Sequence, residues 1–497
     1  LLPEIILAAT VMVTLVVDLI TRRKQLVAIT AIIGMFAAFV PVTTLAFCDS
    51  LSFCTSSGAE RVLFDGTYVV DSYSLVLKGV FIFAAFIVLL VSVGYLGSDR
   101  YYEGEYYFLL VASTLGAVAM ASSRDFLTMI VALELVTAPA FLLSGWRKGD
   151  SKSNEAALKF FITGVLALAL TLFGVSMLYG LTGSLLFADI AAAAPGISHI
   201  PLFILAVIFI ILGFGFKVSA VPFHFWTPDT YEGAPTPVTA WLSVGSKGAG
   251  FVGLLSIAYL ALPSESAIWG PLLWIVAALS MIVGNVVAIQ QTNVIRMLGY
   301  SSIGHAGFML APFGAAAASG MTDLSPLFGA TVTYFIIYAV MNLGAFGVAI
   351  IIGSRVGSYE LDDWRGLMRY APGVTLMLAM FFMSLAGIPP LAGWFAKFAM
   401  FSATIGVGNW WGYSIAIVAA INAVIAFVYY AKVIRSTMFD PVPDGVDVAE
   451  LESHAVPAAA GLAIGITVAG VILLGVLPGI AAELGRFSTS MFSTLGG

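Results

Sequence analysis

Fourteen long apolar segments run through the 497-residue chain, and no polar region long enough to form a separate domain interrupts them. Their approximate cores are 3–20, 26–47, 73–96, 105–121, 126–145, 156–180, 201–226, 236–261, 267–289, 294–312, 326–352, 372–405, 411–434 and 456–478. Crossing a bilayer as a helix takes about 20 apolar residues. These segments are too long for buried strands and mostly too apolar all round for surface helices. An outer-membrane barrel would instead alternate in segments of roughly ten residues. The expected fold is therefore an all-α polytopic membrane protein of about fourteen transmembrane helices, forming a single membrane domain over 1–497. Composition agrees. Hydrophobic residues make up 60% of the chain and charged residues 10%, against about 25% charged in ordinary soluble proteins. With a net charge of −6, this excludes a soluble enzyme, a disordered chain, a disulfide scaffold and a nucleic-acid binder.

Loop charges give an orientation. If Arg22, Arg23 and Lys24 lie inside, alternate loops on that side add Arg100, Arg147, Lys148, Lys152, Lys159, Arg296, Arg355, Arg365, Arg369, Lys432 and Arg435. Only Arg61, Arg124 and Arg486 then lie outside. Cytoplasmic loops are enriched in Lys and Arg, so fourteen spans with both termini on the periplasmic side of a bacterial inner membrane are expected. Losing one span would reverse every later loop. The chain opens on Leu1, so the true N-terminus is expected upstream. Cys48 and Cys54 share an outside loop, where a disulfide and two free thiols are both open. The stretch 436–455, with Asp440, Asp444, Asp447, Glu450 and Glu452, reads as a solvated loop.

Two spans carry helix breakers. Span 7 holds Gly213, Gly215 and Pro222; span 12 holds Gly387, Pro389, Pro390 and Gly393. Proline removes a backbone donor and clashes with the preceding turn. Broken helices at membrane depth are tolerated where they are buried in protein or line a wet cavity. Pro222 and Pro390 stand 168 residues apart, as do Trp226 and Trp394, Met129 and Met297, Ala138 and Ala306, and Leu142 and Leu310. The expectation is two inverted repeats, 105–261 (spans 4–8) and 267–434 (spans 9–13), flanked by spans 1–3 and 14. Transporters build ion sites from such paired breaks.

Four ionisable side chains sit inside spans: Glu134 in span 5, Lys217 in span 7, Lys247 in span 8 and Lys397 in span 12. A charge at the bilayer centre costs about 2.5–3.5 kcal/mol on insertion scales, so such residues find partners or a wet interior. Burial weakens a lysine's charge and a nearby carboxylate restores it. Moving the carboxylate releases the proton, which arginine would not give up. One glutamate and three lysines, two of them beside the breaks, read as a proton relay; structural ion pairing or snorkelling at helix ends is the alternative. Lys78, near the outer end of span 3, reads as a snorkelling residue. His224, just after Pro222, and His305, in span 10, are candidate relay members, with Tyr300, Ser301 and Ser302 placed to order water beside His305. His199 and His454 lie in loops. The sequence has no Walker loop, dinucleotide fingerprint, CxxC pair or paired haem histidines. A proton path without its own energy source suggests a secondary transporter or one part of a larger pump.

The motifs point further. Trp226-Thr227-Pro228-Asp229-Thr230-Tyr231-Glu232-Gly233-Ala234-Pro235-Thr236-Pro237-Val238 resembles the span 7–8 signature of the antiporter-like membrane subunits of respiratory complex I, the proton-pumping NADH:quinone oxidoreductase. Its Tyr-Glu-Gly-Ala-Pro-Thr-Pro form is most similar to the subunit N branch, the counterpart of mitochondrial subunit 2. Asn293 to Gly307 resembles that family's span 10, and Gly387 to Phe398 its broken span 12; Leu2-Pro3-Glu4-Ile5-Ile6-Leu7 also fits. The chain stops soon after span 14, without the lateral helix of the larger relatives. The resemblance implies that Glu134, Lys217, Lys247 and Lys397 carry protons, and that no cofactor sits in this chain. NADH, FMN, iron–sulfur clusters and quinone would belong to partner subunits. Other complex I membrane subunits, antiporter-like homologues among them, and membrane lipids would be its partners. A sodium/proton antiporter subunit, the plastoquinone-linked photosynthetic relative and a purely structural scaffold are the alternatives.

Overall fold

The computed structural model describes residues 1–21, 23–46, 60–97, 104–317, 323–444 and 455–489. Cys48, Cys54, Arg22, Arg100, Asp447, Glu450, Glu452 and His454 fall outside the described residues. The helices are α1 (Leu2–Ile20), α2 (Lys24–Ala46), α3 (Ser72–Gly97), α4 (Gly104–Ser122), α5 (Phe126–Ser144), α6 (Ser151–Thr182), α7 (Phe187–Ile197), α8 (Pro201–Lys217), α9 (Trp226–Gly233) and α10 (Thr236–Trp241). They continue with α11 (Lys247–Ser256), α12 (Ser266–Gln290), α13 (Val294–Ala315), α14 (Ser325–Val356), α15 (Pro372–Ala386), α16 (Ala392–Gly406), α17 (Trp410–Phe439), α18 (Ala458–Val476) and α19 (Gly479–Thr489).

Helix occupies all fourteen apolar segments, and among the described residues eleven spans are long and apolar enough by themselves to cross a membrane. A twelfth follows if Leu361–Arg369 and Pro372–Ala386, bent by 118°, form one span. The others fall short for physical reasons. The first break cuts α8 to 17 residues, and the second divides its span into α15 and α16, each of 15 residues. The α13 helix dilutes its apolar length with Arg296, Tyr300, Ser301, Ser302 and His305. One small departure from an all-helical chain is an antiparallel strand pair, Arg61–Leu63 with Tyr68–Val70. The expected loop at 436–455 starts later, because α17 runs on to Phe439.

Helix ends are set locally. Asp125 accepts from the Leu127 and Thr128 amides to start α5, and Asn293 accepts from the Ile295 and Arg296 amides to start α13, each satisfying donors the first turn leaves unpaired. Small residues bring helices together without side-chain interference. A Cβ on Gly284 of α12 would stand 2.5 Å from the Gly304 amide nitrogen of α13, so glycine is what permits that crossing.

Burial sorts the helices. The most apolar stretch of α14 is entirely buried and that of α10–α11 is 94% buried, against 22% for α1. The centre is thus built from α14, α11 and α13, the helices that carry Lys247 and His305. Lys78 corrects the sequence reading. It does not snorkel: it is 1% exposed, and its ammonium meets Glu4 of α1 at 2.7 Å. The Tyr68 hydroxyl donates to the same carboxylate at 2.8 Å. Glu4 supplies the countercharge that lets the lysine stay inside.

Candidate functional site

Each break leaves a lysine at the end of a half-helix. Lys217 is the last residue of α8, and its ammonium donates to the Thr137 hydroxyl on α5. Thr137 lies three residues after Glu134, so one face of α5 presents both groups. Glu134 is half-buried and makes no ion pair within 4.0 Å among the described residues, yet it lies near enough to act on Lys217 through space. The Phe141 and Phe216 rings flank the Lys217 ammonium at 5.9 and 5.7 Å.

Lys247 opens α11 directly after a π-helical turn, Leu242–Ser246. Such turns widen a helix locally, and here Asn342 of α14 donates to Ser243 within it at 2.7 Å. The Lys247 ammonium, 1% exposed, donates to the Ser302 carbonyl at 2.9 Å and to its hydroxyl at 2.8 Å. One turn on, a Cβ at Gly250 would stand 2.8 Å from the Lys217 Cβ, so the backbones beside the two lysines are in contact.

Ser302 leads to His305. The His305 ring is 2% exposed, with Nδ1 at 2.9 Å from the Tyr334 hydroxyl and Nε2 at 3.2 Å from that of Tyr430. The Tyr430 hydroxyl also meets Ser301 at 2.5 Å. The buried Tyr231 and Tyr338 hydroxyls come near Ser302 and complete no hydrogen bond. Lys397, in α16, reaches back across the second break and donates to the Ala386 carbonyl at 2.6 Å, the end of α15. It therefore fills the carbonyl end of a helix, where positive charge is favoured. Its ammonium lies 5.2 Å from the Phe308 ring, which stacks on Tyr334.

The site residues read from sequence are thus brought together in part. Lys247, His305 and Lys397 converge through Ser302, Tyr334 and Phe308, and Lys217 adjoins them through the α8–α11 contact. His224 stands apart. It is buried in the first break against Phe225, and among the described residues its Nδ1 completes no hydrogen bond and no hydrogen bond joins it to the four charges. Sequence reasoning missed Thr137, Tyr334 and Tyr430. Tyrosine in an apolar span usually signals a membrane interface, and nothing local separates these from interface tyrosines.

Outside the apolar region, Asp229 and Glu232 of α9 bind Lys152, Lys159 and Arg296. Lys159 and Arg296 reach Asp229 at 2.6 and 2.7 Å, and Lys152 and Arg296 reach Glu232 at 3.0 and 3.1 Å. Burial works against the Asp229 carboxylate, but Lys159 and Arg296 together hold it below the usual carboxylate range.

Residues 123–422 match the family model described as NADH:quinone oxidoreductase/Mrp antiporter, transmembrane. A relative from Streptomyces griseus, named NADH-quinone oxidoreductase subunit N 2, is 39% identical over 440 residues, covering 86% of this chain and 80% of its own length. One from Trichlorobacter lovleyi, named NADH-quinone oxidoreductase subunit N, is 34% identical over 490 residues, covering 98% and 95%. Among solved structures, a chain of respiratory complex I from Thermus thermophilus with bound aureothin superposes with a TM-score of 0.76 at 29% identity, covering 97% of this chain and 98% of that one.

Proposed function

The chain belongs to the NADH:quinone oxidoreductase/Mrp antiporter membrane family, and from that premise we propose that it is the subunit N type of proton-pumping NADH:quinone oxidoreductase in a bacterial inner membrane. It translocates protons without a redox centre of its own. NADH, FMN, the iron–sulfur clusters and quinone belong to partner subunits, and other membrane subunits and lipids surround it. Protons enter from the cytoplasmic side by the break after α8. They pass along Lys217, Lys247 and His305 and leave near Lys397, with His224 in the entry region. Glu134 gates Lys217 by its distance: approach favours the ammonium, withdrawal favours release.

The observation that carries this reading is the convergence of Lys247, His305 and Lys397 through Ser302, Tyr334 and Phe308 in the fully buried centre. A set of structural ion pairs would have joined the lysines to carboxylates; Lys217, Lys247 and Lys397 hold hydroxyls and carbonyls instead. The fourteen-span topology, with inverted repeats and both termini outside, belongs to the same proposal. It is supported by the ion-pair network, which gathers Lys152, Lys159 and Arg296, all assigned to the inside, from the ends of α6 and α13.

Lys217→Ala in the assembled complex is expected to lower the number of protons moved per NADH oxidised. Full stoichiometry with normal electron transfer overturns the relay. A sodium/proton antiporter subunit is the second reading, since the family description spans both. Co-purification separates them: an NADH-oxidising assembly supports the first, and salt-dependent proton exchange without NADH oxidation the second.

A further inference from the structure

His305 is bracketed. Each ring nitrogen faces a different tyrosine hydroxyl, Tyr334 from α14 and Tyr430 from α17, and the ring itself belongs to α13. A neutral imidazole has one donor nitrogen and one acceptor nitrogen. A tyrosine hydroxyl can take either role, so the bracket fits both tautomers without moving a heavy atom. In one arrangement Nδ1–H donates to Tyr334 Oη, Nε2 accepts from the Tyr430 hydroxyl, and Tyr430 Oη accepts from Ser301. In the other, the Tyr334 hydroxyl donates to Nδ1, Nε2–H donates to Tyr430 Oη, and Tyr430 donates to Ser301 Oγ.

Resting on the relay reading above, we propose that Tyr334, Tyr430 and Ser301 are proton-carrying partners of His305, which bridges the Lys247 and Lys397 halves by exchanging tautomers between two hydroxyls. The passage balances. A proton enters at Ser301 Oγ as the serine's own proton moves to Tyr430 Oη. The Tyr430 proton moves to Nε2 and the Nδ1 proton to Tyr334 Oη, whose former proton leaves. One proton enters, one leaves, every group ends neutral and nothing is oxidised. The passage leaves the ring proton on Nε2 and the hydroxyls reversed, so a second proton in the same direction follows only after the ring and the hydroxyls reorient away from these contacts.

The ends of this bridge lie next to the residues that hold the two halves. Ser301 adjoins Ser302, which accepts from Lys247 at 2.8 Å. Tyr334 stacks on Phe308, whose ring lies 5.2 Å from the Lys397 ammonium. Among the described residues no ion pair lies at this junction, so a neutral imidazole that passes a proton through itself suits a place already flanked by two lysines. Three helices supply the bracket, which makes its geometry a property of the packed core. Tyr334 and Tyr430 are both fully buried, where a hydroxyl without a partner would be costly.

The test replaces Tyr334 and Tyr430 one at a time in the intact complex, reconstituted in vesicles, and measures NADH-driven proton translocation. Phenylalanine keeps the ring and deletes the hydroxyl. Each variant is expected to pump about a hundredfold less or lower still, the scale on which a positioned proton-transfer group contributes. The double variant should be no worse than the weaker single one, because a series path fails only once. Fluorinated tyrosines of graded acidity at the same positions keep shape and hydrogen bonding, and serve where phenylalanine blocks assembly. Pumping that varies with phenol acidity supports the proposal. Parental pumping in both phenylalanine variants, or indifference to phenol acidity, overturns it. If these variants pump normally while Lys217→Ala does not, the bracket fails and the wider relay stands; if Lys217→Ala also pumps normally, the wider relay is lost as well.

Discussion

The two broken spans place their lysines on opposite sides of the interruption. Lys217 ends the half-helix before the first break, and its ammonium is held by a side chain, the Thr137 hydroxyl, one turn from Glu134. Lys397 lies in the half-helix after the second break, and its ammonium is held by main chain, the Ala386 carbonyl. A side-chain acceptor sits on a separate helix and can shift with it. A carbonyl at a helix end is fixed by the helix. The first break therefore has the parts of a gate, with an acidic group on the same moving element as the acceptor. The second has the parts of a fixed station.

Packing around the breaks differs in the same sense, and one substitution made at both places tests it. A Cβ on Gly393 would stand 1.7 Å from the Ser384 carbonyl oxygen, whereas one on Gly215 meets nothing closer than Phe223 Cδ2 at 3.8 Å. Gly393→Ala is expected to cost about 3 kcal/mol, the upper end of overpacking penalties, and to reduce the assembled complex recovered from membranes. Gly215→Ala should leave assembly within the small range of a tolerated surface-like change, about 0.5 kcal/mol. Equal yields for the two would remove the contrast between a rigid second break and a looser first one.

Thr137→Val probes the gate side. It keeps shape and removes the acceptor, leaving a buried ammonium short of one hydrogen bond worth about 1.5–3 kcal/mol. Proton translocation per NADH should fall roughly tenfold, in line with 1.4 kcal/mol per decade, with electron transfer through partner subunits as the internal control. No matching substitution exists at the second break, because its acceptor is a carbonyl.

Much of this was legible in the sequence, and the misses have physical causes. Hydropathy located the long helices, because a span leaves a continuous apolar signature, and missed the short α7, α9 and α19, which lie outside the fourteen segments. The breaks were legible from Pro222, Pro389 and Pro390. Glu134, Lys217, Lys247 and Lys397 stood out because charge in an apolar run is costly. Their partners did not stand out. Thr137, Ser302, Tyr334 and Tyr430 are ordinary residues for membrane helices, and only the crossing of α5, α13, α14 and α17 gives them a role. Lys78 was misread for a related reason: its partner, Glu4, lies 74 residues away on another helix.

The aromatic face beside the fixed station makes a smaller contribution. Phe308→Leu removes the ring 5.2 Å from the Lys397 ammonium while keeping apolar volume. Cation–π contacts contribute about 0.5–2 kcal/mol, so a several-fold slowing of pumping is expected. Phe141→Leu at the gate side, where the ring lies farther off at 5.9 Å and Thr137 already holds the lysine, should slow it less. The reverse order would mean that Lys397 relies on its carbonyl alone.

The smallest effect is expected away from both breaks, at the ion-pair network around Asp229. Lys159 and Arg296 hold this carboxylate below its usual range despite the burial that opposes them. A depressed carboxylate stabilises the fold fully above the ordinary carboxylate range, and that contribution is lost as pH falls through the lowered value. Lys159 is 44% exposed and Arg296 29%, so solvent screening limits the network to about 1 kcal/mol or less. Asp229→Asn should therefore lower the thermal midpoint slightly at neutral pH, and the difference from the parent should begin to shrink as the buffer is brought below about pH 4 and vanish below the lowered value. A midpoint difference that persists in acid would assign the effect to packing of α9 against α6 and α13. Because Asp229 lies just beyond the gate-side break, its loss should leave the response to Phe308→Leu unchanged, and coupling between those two variants would show that the two breaks do not act as separate stations.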